Sequence, residues 1–240
     1  TGKVGYLKLN SFTQTAGTEV RNAVKELKDQ GASKVILDLR GNGGGLLREA
    51  VNIVNLFTPK GETVVETKGR MADWDKTYKT LSEPLDADIR LVVLTDTGSA
   101  SASEIVSGAL QDLDRAVVMG QRTFGKGLVQ QTRDLLYNSK LKVTVAKYYI
   151  PSGRCIQKLD YAQHDSTGHA VVRADSSLRG FKTRNGRPVS DGRGILPDVL
   201  VEEPEMPKVV VGLFAGDVLF DFANQYYWSH DSIPPPGTFT

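Results

Sequence analysis

A hydroxyl at Ser101 and an amine at Lys126 stand 25 positions apart, each in a run of small residues that directly follows an apolar stretch. The first run is Gly98-Ser99-Ala100-Ser101-Ala102-Ser103-Glu104, after Leu91-Val92-Val93-Leu94. The second is Thr123-Phe124-Gly125-Lys126-Gly127, after Ala116-Val117-Val118-Met119. A serine needs a base to become a nucleophile, and a lysine kept neutral by burial can be that base. Free lysine titrates near about 10.4, so burial would have to lower it by a few units. Ser-Lys pairs are a recognised variant of the serine-hydrolase arrangement.

Each feature also has a plainer explanation. Small residues let a helix start close to a sheet, and serine is a good N-cap. Ser99 and Ser103 compete with Ser101, and Ser103 fits a helix start with Glu104 in the favourable first turn. If the helix begins here, the Ala102 N–H is free to stabilise a developing oxyanion. The Gly41-Asn42-Gly43-Gly44-Gly45 loop offers exposed backbone N–H groups. It fails as a dinucleotide fingerprint, because Leu46 occupies the third glycine's place. Gly120-x-x-x-x-Gly125-Lys126 imitates a phosphate loop, yet Gly127 stands where Ser or Thr is required for Mg²⁺. Asp38 and Arg40 read as a structural ion pair, and Trp74 and Tyr78 as packing. Cys155 reads as inert, and His164, His169 and His230 lack metal-ligand spacing. No cofactor or metal is implied.

These groups need a scaffold. Apolar spacing at Val20, Ala23, Val24 and Leu27 predicts a helix over residues 15–30, closed by Gly31. Val35 to Leu39 reads as a buried strand, residues 47–57 as a helix and residues 63–68 as a strand. Residues 91–94 and 117–119 read as strands flanking a helix over residues 103–113. This β-α-β-α-β rhythm predicts a mostly parallel α/β sheet with crossover helices. Residues 141–150 alternate with no helix nearby, which predicts additional antiparallel strands. Residues 158–193 turn polar and glycine-punctuated, and are expected as a long loop or hairpin insertion. The expected organisation is a core over residues 1–200 and a C-terminal extension over residues 201–240 that packs on it.

The chain resembles the catalytic domain of the C-terminal processing peptidases, the tail-specific protease family. The resemblance lies in KVILDLRGNGGG (residues 34–45), LVVLTDTGSASASEIVSGALQD (91–112), GQRTFGKGLVQ (120–130), YYIPSGRCIQ (148–157) and GILPDV (194–199). It implies a βαβ core of the crotonase and ClpP type. It implies Ser101 as nucleophile, Lys126 as general base, and Gln130, one helical turn beyond, as assistant to the lysine. It also implies a second oxyanion donor from the glycine loop, Gly44 or Gly45. Protein or peptide substrates with unstructured C-terminal tails would then be cleaved through an acyl-enzyme. The family usually acts outside the cytoplasm, in the periplasm or at a membrane. It usually carries a PDZ domain before this core, and no PDZ-sized segment lies within these residues. The chain starts at Thr1 and runs straight into a strand pattern, so it reads as part of something longer.

Bulk properties narrow the alternatives. The 240 residues are 40% hydrophobic, enough for a substantial core. A net charge of +2 with mixed signs argues against a dedicated nucleic-acid surface. One cysteine excludes an internal disulfide framework. No apolar stretch reaches the roughly 20 residues needed to cross a bilayer. Two rivals stand beside the peptidase. One is an acyl-CoA enzyme of the crotonase type, which would want carboxylates near the glycine loop. The other is a non-catalytic binding module descended from a protease, against which intact Ser101, Lys126 and Gln130 argue. Oligomeric state and physiological substrate are left open.

Overall fold

Val35, Leu37 and Leu39 are buried, as a strand covered on both faces requires. They belong to a five-stranded parallel sheet in a computed structural model that describes residues 2–174, 177–202 and 206–238, without the side chain of Trp74. Its strands are β1 (Lys3–Lys8), β2 (Ala32–Asp38), β5 (Arg90–Thr95), β6 (Val117–Gly120) and β13 (Val199–Leu200). They lie side by side in the order β1-β2-β5-β6-β13, and every neighbouring pair is parallel. Parallel pairs need crossovers, and three helices lie in the first three of the four, while β6 reaches β13 through the strands between them. Helix α1 (Ala16–Asp29) buries Val20 and Val24 and ends at Gly31, whose φ of 90° suits only glycine without strain. Helix α2 (Leu47–Asn55) buries Ala50, Ile53 and Val54. Helix α3 (Ala102–Asp112) is buried along its whole length. The mostly parallel α/β core is therefore as the apolar runs indicate.

A second, antiparallel sheet follows the order β4-β3-β8-β7. It contains β3 (Thr63–Gly69), β4 (Lys76–Lys79), β7 (Leu128–Asp134) and β8 (Lys140–Tyr149). A single 3-10 turn, Ala72–Trp74, separates β3 from β4. The predicted antiparallel strand at 141–150 is β8. Tyr148 and Ala146 of β8 are buried, while Lys147 between them is exposed, as strand alternation demands. Tyr78 packs partly buried against the main core. The polar insertion is two hairpins, β9 (Leu159–His164) with β10 (Ala170–Val172) and β11 (Gly180–Lys182) with β12 (Pro188–Ser190). A buried ion pair, Arg154 to Asp112 at 2.9 Å, ties the segment after β8 to the end of α3. The same guanidinium donates to Gln111 Oε1, and the Ser152 N–H donates to Asp112.

Residues 1–202 form one compact unit and residues 203–240 another. The second unit holds α4 (Lys208–Ala215) and α5 (Val218–Ser229), joined through Gly216 and Asp217, with no buried residue in either helix. Within it, the Tyr226 and His230 rings stack at 3.8 Å.

Candidate active site

Strand β5 delivers the chain into a tight loop in which Asp96 organises three backbone groups. Its Oδ1 accepts from the N–H of Gly98, of Ser99 and of Gly41, the last from the glycine loop after β2. Three more bonds stitch the two loops together. Ser99 Oγ donates to Leu39 O at 2.8 Å, the Ala100 N–H to Asn42 O at 3.0 Å, and Ser103 Oγ to the same carbonyl at 2.8 Å. Asn42 is fully buried and anchors its own loop through Leu9 O and the Gly44 N–H.

This arrangement separates the three serines. Ser99 and Ser103 are fully buried with hydroxyls spent on backbone carbonyls. Ser101 retains 7% exposure, and its Oγ makes no such bond to the backbone. The expectation that Ser103 starts the helix is corrected, because Ser101 is the N-cap and Ser103 lies inside the first turn. The Ser103 hydroxyl, inside that turn, reaches the Asn42 carbonyl at 2.8 Å. Ser101 carries φ 57° and ψ −111°, a region costly for a side-chain-bearing residue. Such strain persists only where surroundings over-determine it, and it clusters at functional sites.

Glu104 is the fixing group. It is fully buried, and each carboxylate oxygen accepts two hydrogen bonds. Oε2 accepts from the Ser101 N–H and the Lys126 N–H, both at 2.8 Å. Oε1 accepts from Thr123 Oγ1 at 2.6 Å and the Gly125 N–H at 2.7 Å. Burial pushes the Glu104 carboxyl above its usual range, and these four donors oppose it. One carboxylate thus joins the serine loop to the lysine loop. The lysine loop is held elsewhere too: the Phe124 N–H donates to Ser99 O, Ile195 N–H to Thr123 Oγ1, Lys158 N–H to Gly125 O and Gly127 N–H to Gln157 Oε1. The GILPDV and YYIPSGRCIQ segments therefore brace the backbone on both sides of Lys126.

The oxyanion candidates converge on the same point. Gly44 has φ 100°, and a Cβ built there would meet Ala100 O at 2.7 Å, Ser101 Cβ at 2.8 Å and Ala102 N at 2.9 Å. Glycine is required for that close approach. Gly45 instead backs onto Phe12. The Ala102 and Gly45 N–H groups donate to no acceptor among the described residues, while the Gly44 N–H is engaged by Asn42.

Two groups stand apart. The Lys126 side chain is half-buried, and among the described residues no hydrogen bond joins its Nζ to Ser101 Oγ. Gln130 is exposed on β7. It does not lie one helical turn beyond Lys126, because the segment is a strand, in which four residues span roughly 13 Å. The neighbour of Ser101 from the second sheet is Tyr148. Burial raises its phenol pKa, and the facing Ser101 side chain lowers it in part. The phosphate-loop likeness also ends here, since a strand rather than a helix follows Lys126. The links made by Glu104, Asn42 and Tyr148 were not anticipated. For Glu104 a signal existed: Ser101-Ala102-Ser103-Glu104 is an S-x-x-E capping-box pattern.

Serine loop, glycine loop and lysine loop thus meet at one helix N-terminus, and a model of peptidase family S41 matches residues 3–165, which include all three. The chain belongs to this family. A carboxyl-terminal-processing protease of Picosynechococcus sp. is 40% identical over 182 residues, covering 74% of this chain and 43% of that protein. A probable CtpA-like serine protease of Staphylococcus aureus is 45% identical over 157 residues, covering 65% of this chain and 31% of that protein. Among solved structures, a photosystem II D1 C-terminal processing protease matches with a TM-score of 0.63 at 31% identity. That match covers 83% of this chain and 42% of the other. The S41 chain described here therefore spans less than half the length of these relatives.

Proposed function

We infer that the chain is the catalytic core of a serine endopeptidase that cleaves protein substrates near their C-termini. The observation that carries this reading is the selection among three serines. Among the three, only the Ser101 hydroxyl is not given to a backbone carbonyl; it faces the Tyr148 phenol instead, at a strained N-cap, with the Lys126 backbone fixed to it through Glu104. In the mechanism, neutral Lys126 Nζ takes the proton from Ser101 Oγ, which attacks the scissile carbonyl carbon. The tetrahedral oxyanion is held by the Ala102 N–H and a glycine-loop N–H. Gly45 is the stronger choice for the second donor. The Gly44 carbonyl accepts from the Phe12 N–H, and in a trans peptide the next N–H points the opposite way, from Phe12 toward Ser101. Protonated Lys126 then gives its proton to the leaving amine, and water hydrolyses the acyl-enzyme with the lysine again as base.

Lys126 Nζ must move onto Ser101 Oγ for this chemistry, and the long Lys126 side chain can swing while its backbone stays fixed. The family resemblance supports two further proposals. Tail recognition is supplied by a PDZ domain of the longer protein, which takes a free C-terminus as an added strand. The enzyme acts outside the cytoplasm. The catalytic reading is tested by hydrolysis of an unstructured protein substrate. Ser101→Ala and Lys126→Ala should each abolish turnover, and the double variant should be no worse than either, because the two residues act as a unit. Near-normal turnover in either single variant contradicts the assignment.

A further inference from the structure

Strand alternation puts a second feature on the far side of the antiparallel sheet. Tyr148 faces the core and Ser101, so its neighbours Lys147 and Tyr149 face the other way, into a cavity of about 830 Å³. Ligand sites commonly span roughly 300–1,000 Å³. The cavity lies between the sheet and the two hairpins of residues 159–190, with Gln130 on its wall. Leu128, Tyr149, Cys155 and Phe181 give it an apolar lining.

Its charges are unevenly spent. Asp191 is nearly fully buried, accepts the Arg179 N–H at 2.8 Å and pairs with Arg173 at 3.6 Å. The side chains of Lys147 and Arg179 have no ion-pair partner among the described residues. Both line the cavity, and the only other carboxylate there is Asp160, which accepts the Ala162 N–H. Strand β7 is the outer strand of its sheet among the described residues, and Leu128 and Gln130 of that strand line the cavity. An open edge is a template for an extended chain.

We propose that this cavity binds an extended peptide segment that presents a carboxylate beside an apolar side chain. Lys147 and Arg179 take the carboxylate, and Leu128, Tyr149 and Phe181 take the apolar group. Gln130 then serves the bound peptide rather than the lysine. Because β7 begins two residues after Lys126, a peptide paired to it is guided toward the catalytic loop. The carboxylate could be a free C-terminus or an acidic side chain. The proposal rests on the chain acting on peptides, but its test needs no hydrolysis.

The test measures binding of fluorescein-labelled, unstructured ten-residue peptides to the Ser101→Ala protein by anisotropy. The parent peptide ends in aspartate-leucine with a free C-terminus. Three others carry a C-terminal amide, asparagine for aspartate, or both. The peptide lacking both carboxylates should bind at least about tenfold more weakly than the parent, and the single replacement that reproduces the loss identifies the source. Adding Lys147→Gln and Arg179→Gln should weaken the parent by about tenfold and leave the neutral peptide unchanged. Thr144→Trp, which fills the cavity from a strand position, should weaken all four, with an unchanged thermal midpoint showing that it folds. Equal binding of the parent and neutral peptides overturns the proposal. So does absence of binding, or parent affinity unchanged in the double-charge variant. Retained peptide binding with no serine reactivity in the unsubstituted protein would refute the catalytic reading alone, and the reverse pattern would refute this site alone.

Discussion

Replacing Glu104 with glutamine changes one buried oxygen into an NH2 group and nearly preserves volume. Turned one way, the amide NH2 faces the Ser101 and Lys126 N–H donors; turned the other way it faces the Gly125 N–H, while the Thr123 hydroxyl can rotate to accept, so one or two buried donors lose their acceptor. A buried donor left without its acceptor costs about 1–3 kcal/mol. One or two of them give about 1–6 kcal/mol, set against a typical total of about 5–15 kcal/mol. The loss falls on the groups that hold Ser101 at positive φ and Lys126 opposite it. Misplacement of reacting groups by an ångström can cost about a hundredfold in rate. Urea unfolding followed by circular dichroism should show that stability loss, and reaction with a serine-directed fluorophosphonate should slow by about two orders of magnitude. Because Glu104 positions rather than reacts, kcat should fall far more than KM rises on a peptide substrate. Unfolding free energy within about 1 kcal/mol of the unsubstituted protein, with labelling within twofold, would refute this account of the two loops.

Three other outcomes follow from the same geometry. Gly44→Ala places a Cβ 2.9 Å from Ala102 N at φ 100°, so stability should drop by about 1–3 kcal/mol and fluorophosphonate labelling should be lost; a normally reactive variant would remove Gly44 from the site. Burial tends to raise the fully buried Asp38 carboxyl, but its bonds to Arg40 and Tyr6 outweigh that and hold it at about 2, below its ordinary 3.8. Its contribution, about 2 kcal/mol, is present above pH 3.8 and lost as pH falls through about 2, so Asp38→Asn should flatten acid unfolding in that window, and an unchanged acid limb would contradict it. Burial pushes the Cys155 thiol up, so iodoacetamide should modify it slowly in the native protein and fast in urea, and Cys155→Ser should keep peptidase activity.

The elements that carry the site were legible because they rest on local patterns. The runs at Val35–Leu39 and Leu91–Leu94 are strands buried between helices, and their apolar continuity shows it. The small-residue turns after β2, β5 and β6 mark the loops that converge. The helix starts at Ala102, one residue before the position its apolar spacing indicates. Three serines alternate with alanine there, and the contact that occupies the Ser103 hydroxyl, with Asn42 O, spans 61 positions. The role of Glu104 was invisible for the same reason, since three of its four partners lie 19 to 22 positions away. Its local half, the Ser101 N–H bond, was readable as a capping box. Gln130 shows the limit of spacing: four residues mean one turn in a helix and a long reach in a strand, and Leu128–Asp134 is a strand.

The central claim is that Ser101, activated by Lys126, is the nucleophile. Mass-spectrometric mapping of a fluorophosphonate adduct tests it most directly. A single adduct on Ser101 is expected, absent in Ser101→Ala, strongly slowed in Lys126→Ala and retained in Ser99→Ala. An adduct on Ser99 or Ser103, or undiminished labelling in Lys126→Ala, would contradict it.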